Sequence, residues 1–349
     1  MPISKQQKEF YKLFSQHGAG DALVRIPEKD VALLTHIAAL DLDSNIADWM
    51  LPQYVTIAKK NFFEISVADI NVLPTVSVES AIDLLQQSGA MNPINVIFLY
   101  LKNLCELYRR RYKFINILSK QPFPHVDQIG PRCLLEYGNC DSNLLFTWMR
   151  WRKWIYDIDN RSAQETGYLF EPILASCLGG TSVSHRNSPI KRINDSGQQT
   201  TDGRQIDCFI EESLEAYELK LRVTIAASGQ GRFGEEMSFP IEAERAGIIP
   251  VLIVFDPTPS ALLERLKNQY IKHGGRCAIG VDAWNELISK AGNEMGTFIQ
   301  KYIEPPIINM GNQNDRIPST ISLVADDTAV KITDSLGNKY EIDRYFINE

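Results

Sequence analysis

The chain has 349 residues, of which 44% are hydrophobic and 23% charged, a composition typical of a globular protein with one large domain or two. Its formal net charge of -7 argues against a protein that coats nucleic acid indiscriminately, because such proteins are usually basic. No apolar stretch has the character of a signal peptide or a membrane span, and the six cysteines form no C-x-x-C pair. These features predict a reduced, cytoplasmic protein with no membrane partner.

The first part of the chain, residues 1–158, is predicted to be mainly helical, with breaks at glycines and prolines. Its longest helix is expected from about Ile94 to Leu118, with Asn92-Pro93 as the cap and the first-turn residue. Apolar residues recur along this segment at helical spacing, which is typical of a helix that faces a core. A second long helix is expected after Asp141.

The second part, residues 159–304, alternates between helical and strand patterns. We expect a helix over 162–178, strands over 203–210 and 216–223, a helix over 235–246, a strand over 250–255, a helix over 260–272, a strand over 276–281 and a helix capped by Asp282. This order predicts an α/β (α+β) fold in which helices flank a mixed central sheet. Residues 305–349 are expected to form a linker from Pro305 to Pro318 and then a terminal hairpin around Gly337-Asn338.

Two neighbouring predicted strands bring three candidate catalytic side chains together. Glu218 and Lys220 lie on one strand with a single residue between them, so they point to the same face of the sheet. If residues 211–215 turn the chain back, Asp207 lies on the adjacent antiparallel strand and approaches that face. Two carboxylates beside an ammonium favour a hard divalent cation, since Mg²⁺ takes one or two carboxylates and fills its other positions with water and phosphate oxygens. An exposed hairpin with solvated charges and a cross-strand salt bridge is the alternative.

These residues and the order of the elements around them resemble the PD-(D/E)xK nuclease superfamily, with Asp207, Glu218 and Lys220 at its three motif positions. The proline that usually precedes the first acid is Ile206 here. The longer string from Glu218 to Glu236 is similar to the type II restriction endonucleases grouped as ApaLI-like. The resemblance implies a restriction-endonuclease-like core in which Asp207 and Glu218 hold the metal.

The resemblance also implies an activity, the Mg²⁺-dependent hydrolysis of phosphodiester bonds in both strands of a short palindromic site in double-stranded DNA, leaving 5′-phosphates. A two-fold site is naturally read by a two-fold protein, so a homodimer or a higher oligomer is expected. A further acid is expected to support the metal site, either Glu171 from the preceding helix or Glu235 from the following one. In this interpretation, residues 1–158 contact DNA or form the dimer interface.

A set of polar and basic side chains around the predicted site is expected to contact DNA: Arg186, Lys191, Arg222, Ser228, Gln230 and Arg232. Arg232 and Gln230 are of the types that form paired hydrogen bonds with guanine and adenine in the major groove. In the alternative interpretation, the glycines beside them only form a tight turn, and Arg232 pairs with Glu235 or Glu236. A repair or recombination nuclease of the same fold and a non-catalytic DNA-binding protein are the competing functions.

Overall fold

The computed structural model describes residues 3–17, 23–43, 45–89, 95–194, 196–221, 230–311 and 321–344. The first part of the chain is mainly helical. Its helices are α1 (Lys5–Ser15), α2 (Glu28–Leu42), α3 (Pro52–Ala58), α4 (Val67–Asn71), α5 (Val78–Gln87), α6 (Val96–Lys120), α7 (Val126–Ile129) and α8 (Ser142–Cys177), with 3₁₀ turns at Phe62–Glu64 and Gly130–Cys133. Two short strands, β1 (Gln16–His17) and β2 (Val24–Arg25), pair antiparallel between α1 and α2.

The second part alternates strands and helices. The strands are β3 (Thr181–Val183), β4 (Lys191–Ile193), β5 (Gln199–Gly203), β6 (Ile206–Ile210), β7 (Glu215–Lys220), β8 (Ile249–Val254), β9 (Arg276–Ile279), β10 (Ile321–Ala325), β11 (Ala329–Asp334) and β12 (Lys339–Asp343). The helices are α9 (Gln230–Arg245), α10 (Ala261–Lys272), α11 (Val281–Lys290), α12 (Asn293–Phe298) and α13 (Glu304–Gly311), with a π-helical turn at Ile299–Ile303.

The central sheet has five strands in the order β3-β6-β7-β8-β9. The pairs β3–β6 and β6–β7 are antiparallel, whereas β7–β8 and β8–β9 are parallel. The mixed α/β sheet predicted from the order of elements is therefore confirmed. β7 lies in the middle of this sheet, where residues 215–217 pair with β6 and residues 215–220 pair with β8.

Two layers of apolar side chains cover the faces of this sheet. On one face, Tyr217 of β7 belongs to a core that also contains Leu174 of α8 and Leu104 of α6. On the other face, Leu252 of β8 packs with Phe239 of α9 in a second core. The first core continues from α1 to the π-helical turn, so the N-terminal helices and the sheet share one apolar interior. Among the described residues, no helix is both long and apolar enough to cross a membrane.

The long helix α6 corresponds to the helix predicted from about Ile94 to Leu118. It is capped by Asn95, whose Oδ1 accepts a hydrogen bond from the Ile97 amide at 3.0 Å. The expected cap at Asn92-Pro93 lies outside the described residues.

One continuous helix, α8, replaces the two helices predicted on either side of residue 158. Its 36 residues run without a break through the polar stretch 157–162. Polar residues alone do not end a helix, because they can face solvent while the backbone hydrogen bonds continue. The predicted domain boundary at residue 158 therefore falls inside a helix, and the division into domains stays a prediction.

Three local predictions differ from the structure. The strand expected over 203–210 is divided into β5 and β6, because the chain turns at Arg204, whose amide donates to the Ile190 carbonyl at 2.8 Å. The helix expected to be capped by Asp282 is α11, which follows Gly280 and has Asp282 in its first turn. The linker expected from Pro305 begins instead as α13, since proline is tolerated in the first turn of a helix.

The predicted terminal hairpin is present as β11 and β12, which pair antiparallel around Gly337. A third strand, β10, extends it to a three-stranded sheet.

Candidate active site

The pairing of β6 with β7 brings two acids close together. The antiparallel register joins Cys208 to Tyr217, and Asp207 and Glu218 are the next residues beyond this last pair on their strands. Asp207 Oδ2 also accepts a hydrogen bond from the Leu219 amide at 2.9 Å. The strand order predicted from alternation thus brings the first two acids together.

Lys220 follows on the same strand and is held between two carboxylates. Its Nζ donates to Glu218 Oε1 at 2.6 Å and to Glu236 Oε1, on α9, at 2.8 Å. The three side chains are between 16% and 21% exposed. Charge-assisted hydrogen bonds of this length are about twice as strong as neutral ones, so they fix the ammonium in place.

The site is an acidic cluster in which the carboxylates outnumber the positively charged side chains. Burial raises the pKa of Asp207 well above its usual range, and the charges of Glu218 and Glu171 raise it further. The pKa of Glu171, on α8, is likewise raised by burial and by Glu218, with Lys220 acting in the opposite direction. The structure therefore brings Glu171 within electrostatic range of the strand residues, as the sequence predicts.

Lys220 responds in the direction expected of a cation among acids. Burial lowers its pKa, but Glu218 and Glu236 outweigh this effect and raise the pKa above the usual value for lysine. The pKa of Glu236 is raised, first by burial and then by Glu218, despite the contact with Lys220. The side chain of Lys220 is thus a charged ammonium at neutral pH.

The residues present fit a divalent cation. Burial and the charge of Glu218 raise the pKa of Asp207, Lys220 offsets this only in part, and Glu236 Oε2 is buried without a hydrogen-bond partner among the described residues. In the described ranges, no three His, Cys, Asp or Glu side chains are arranged as a ready-made metal cluster. Carboxylate oxygens are the ligands that a hard divalent cation prefers.

Comparison with known proteins identifies the family to which the chain belongs. The family model of the ApaLI-like restriction endonucleases matches residues 69–304, a range that contains both motif strands and α9. The chain belongs to the ApaLI-like restriction endonuclease family. The type II restriction enzyme ApaLI of Acetobacter pasteurianus is 44% identical over 242 residues, which is 68% of this chain and 63% of that protein. The chain thus spans less than two thirds of that relative's length. No solved structure matches the chain significantly.

The two adjacent acids at the start of α9 have different partners in this family member. Glu235, the acid expected from the sequence to support the metal, is 56% exposed and pairs with Arg192 at 3.3 Å. Glu236 instead faces the sheet and reaches Lys220. The structure therefore brings Glu236, and not Glu235, into contact with the motif residues.

The predicted DNA-contacting residues are only partly described. Arg186 is exposed in the turn after β3, and Lys191 is half-buried at the start of β4. Arg222 and Ser228 lie outside the described residues. Gln230 and Arg232 belong to the first turns of α9 rather than to a loop before it, and their side chains lie outside the described part.

Two residues of the site were missed by the sequence reasoning. The sequence indicates Glu236 only as the end of the family-like string and as an alternative partner for Arg232. Arg204 is predicted to be part of a strand, but its side chain is buried against α9. The sequence does show a basic residue just before β6 and acids at positions 236 and 242. Nothing in the local sequence indicates that the basic residue contacts the helix that carries these acids.

Proposed function

We propose that the protein is a type II restriction endonuclease, which cleaves both strands of double-stranded DNA at a short palindromic sequence and leaves 5′-phosphates. The observation that carries this proposal is the convergence of Asp207, Glu218 and Lys220 on adjacent strands in a member of the ApaLI-like family. The name of the relative, a type II restriction enzyme, agrees with it.

In this proposal, Asp207 and Glu218 hold a Mg²⁺ ion, and Glu171 adds negative charge beside them. When bound, Mg²⁺ supplies a Lewis acid next to the scissile phosphate. The raised pKa of Asp207 supports the assignment, because burial and the charges of Glu218 and Glu171 raise it, and a cation at this position would offset both effects.

Lys220 contributes as a cation. A lysine can orient or deprotonate the attacking water, or it can stabilise negative charge on the phosphate in the transition state. Its raised pKa favours charge stabilisation and orientation, since an ammonium that holds its proton tightly is a poor general base. The hydrogen bonds to Glu218 and Glu236 hold the ammonium at the end of β7 and restrict the rotamers of the Lys220 side chain.

DNA recognition is assigned to residues on the same side as α9. Arg186 and Lys191 lie around β4, which is joined to α9 by the pair between Arg192 and Glu235. Arg222 and Ser228, between β7 and α9 in the chain, and Gln230 and Arg232, in the first turns of α9, are proposed to contact bases or phosphates. Such local positive groups would compensate for the acidic net charge.

A homodimer is proposed because two identical subunits can place one site on each strand of a palindrome. Size-exclusion chromatography with light scattering would test the dimer, and a purely monomeric enzyme on cognate DNA would contradict it.

The cytoplasm is proposed as the place of action. The six cysteines are all free, which supports this location.

The decisive experiment incubates plasmid DNA with the purified protein and Mg²⁺. Discrete fragments with a shared terminal sequence are expected, and sequencing the fragment ends gives the site and the cut position. A smear or structure-dependent nicking would indicate a repair or recombination nuclease instead. Tight binding without cleavage would indicate a non-catalytic DNA-binding protein.

A further inference from the structure

We propose that Arg204 and Glu242 are positioning residues, which hold α9 against the motif strands so that Glu236 keeps Lys220 in its working position. This inference rests on the proposed nuclease function and names residues outside the three-residue motif. Both side chains lie inside the protein, Arg204 at 8% and Glu242 at 2% exposure.

Arg204 connects the start of β6 to the first part of α9. Its guanidinium donates to the main-chain oxygen of Glu235, the residue immediately before Glu236. The same group pairs with Glu242 Oε2 at 3.5 Å and lies over the ring of Phe239, 5.7 Å from its centroid. Three contacts along one helix therefore converge on a single side chain.

Glu242 extends this connection to a third element. Its Oε1 accepts a hydrogen bond from the Ile193 amide of β4 at 3.0 Å. The helix is thereby tied to β4 and to the corner between β5 and β6, through one glutamate and one arginine. None of these contacts involves the motif residues directly.

The cost of burying this pair supports a role beyond stability. A buried ion pair usually contributes little net free energy of folding, because desolvation of both charges offsets their attraction. The hydrogen bonds are made on either side of the pair, from the Arg204 guanidinium to the Glu235 carbonyl and from the Ile193 amide to Glu242 Oε1, while Glu242 Oε2 has only the ion pair at 3.5 Å. These contacts together fix the geometry that directs Glu236 towards Lys220.

Small displacements of this helix have a large predicted effect on catalysis. A misplacement of about 1 Å at a reacting centre can cost on the order of 100-fold in rate. Glu236 Oε1 contacts Lys220 Nζ at 2.8 Å, so a shift of α9 by that amount would break the hydrogen bond. Arg204 also adds a positive charge beside an acidic cluster.

The test compares three variants of the full-length protein. Arg204→Met removes the connection and leaves Glu242 as an unpaired buried acid. The double variant Arg204→Met/Glu242→Gln also removes that charge, while glutamine can still accept from Ile193. Arg276→Met is the control, because Arg276 pairs with Glu215 and Glu286 at the opposite end of β7.

Two readouts are measured, kcat and KM on cognate DNA and the rate at which an amine-reactive reagent modifies Lys220, followed by mass spectrometry. We expect Arg204→Met and the double variant to lose about 10-fold to 100-fold in kcat with little change in KM. Lys220 should react several times faster in both. The double variant should recover most of the stability lost by Arg204→Met, because it has no unpaired buried charge.

Recovery of kcat together with stability in the double variant would overturn the proposal and leave Arg204 with a purely structural role. Unchanged reactivity of Lys220 in both Arg204 variants would overturn it as well. If the wild-type protein cleaves no DNA, the proposed function fails, while the labelling of Lys220 still decides whether Arg204 positions it. Arg276→Met is expected to change stability and neither of these readouts.

Discussion

In the proposed mechanism, Lys220 is the residue on which the chemistry of the site depends most directly. Its ammonium bridges Glu218 on its own strand and Glu236 on α9, and both contacts are shorter than 3 Å. The position of this charge is therefore set by two independent elements. Such preorganised charges contribute more to catalysis than flexible ones, because they need no reorganisation in the transition state.

Lys220→Ala removes this charge, and we expect kcat to fall at least about 100-fold to 1000-fold while DNA binding is largely retained. Cleavage is measured with Mg²⁺, and binding is measured by fluorescence anisotropy in the presence of a chelator. Lys290→Ala is the matched control, because Lys290 pairs with Glu215 at 3.0 Å at the other end of β7. Undiminished cutting by Lys220→Ala would refute its assignment.

The neighbouring acids Glu235 and Glu236 allow a second comparison. Glu236→Gln removes the negative charge from this contact, although the glutamine oxygen can still accept from Lys220, and we expect kcat to fall roughly 10-fold, which corresponds to about 1.4 kcal/mol. Glu235→Gln removes only an exposed pair with Arg192, so the expected change is less than about threefold. Steady-state cleavage of a labelled duplex distinguishes them. The reverse order of effects would restore Glu235 as the supporting acid.

Metal binding is tested at Asp207. In the metal-free protein, the raised pKa of this acid means that folded molecules bind more protons than unfolded ones, so stability falls as pH rises above the unfolded pKa. A bound cation removes this loss of stability.

At a concentration 100 times its dissociation constant, Mg²⁺ should stabilise the wild type by about 2.7 kcal/mol. Thermal unfolding at pH 7.5 should show this gain, and Asp207→Asn should lose it, whereas Asp326→Asn in the C-terminal sheet should retain it. An equal gain in all three proteins would place the ion elsewhere.

At the scale of secondary structure, the corner between β5 and β6 determines where the motif strand begins. Gly203 lies at this corner, and a Cβ atom there would come within 1.9 Å of the His185 carbonyl oxygen. The close approach of two backbone segments thus requires glycine. It also places Arg204 where its side chain can enter the space under α9.

Gly203→Ala is therefore expected to destabilise the protein by about 1–3 kcal/mol, since the backbone cannot move aside without disturbing β6. Gly296→Ala in α12 is the control, because a Cβ atom there meets nothing within 4 Å and alanine favours the helix. Urea unfolding of both variants gives the comparison. A Gly203→Ala protein as stable as the wild type would show that the corner can rearrange.

At the scale of the whole molecule, the two ends of β7 carry opposite electrostatic environments. At its start, burial raises the pKa of Glu215, but hydrogen bonds from Arg276, Lys290 and Ser213 outweigh burial and lower it to about 2. At its end, Asp207 has a raised pKa. The charge of Glu215 is balanced by basic side chains of the protein itself. Around Asp207, negative charge is in excess, as a site for a cation requires.

This difference predicts how the fold responds to acid. The pKa of Glu215 is depressed, so its contribution is present above the unfolded value of about 4.5 and is lost as pH falls towards 2. The lowered pKa of Glu215 contributes at most about 3 kcal/mol to the free energy of unfolding. The contribution is below this limit because solvent screens the partly exposed Arg276 and Lys290. Urea unfolding between pH 5 and pH 3 should show a weaker pH dependence in Glu215→Gln than in the wild type, with parallel curves as the contrary result.

The N-terminal helices and the nuclease sheet are joined rather than loosely tethered. Asp41 of α2 accepts hydrogen bonds from Tyr100 of α6 at 2.9 Å and from Tyr302 in the π-helical turn. These contacts link residues that are far apart in the sequence. The N-terminal helices thus support the same core on which β7 rests.

Much of the site was accessible from the sequence because strand geometry is local. Alternation along a strand places Glu218 and Lys220 on one face, and a short turn returns the chain so that Asp207 stands opposite. These relations need only a few consecutive residues. The order of helices and strands likewise predicted the mixed sheet, since the apolar runs of β8 and β9 mark buried strands.

Tertiary structure alone decided which side chains complete the site. Glu235 and Glu236 differ by one helical step of about 100°, so their roles depend on how α9 is rotated against the sheet. The meeting of Arg204 with Glu242 depends on the same docking, because the two residues are on different elements. The continuity of α8 through residue 158 was likewise not predictable, since polar residues neither require nor forbid a break. Local periodicity carries no information about such docking, and this is the physical reason why the motif could be predicted and its supporting residues could not.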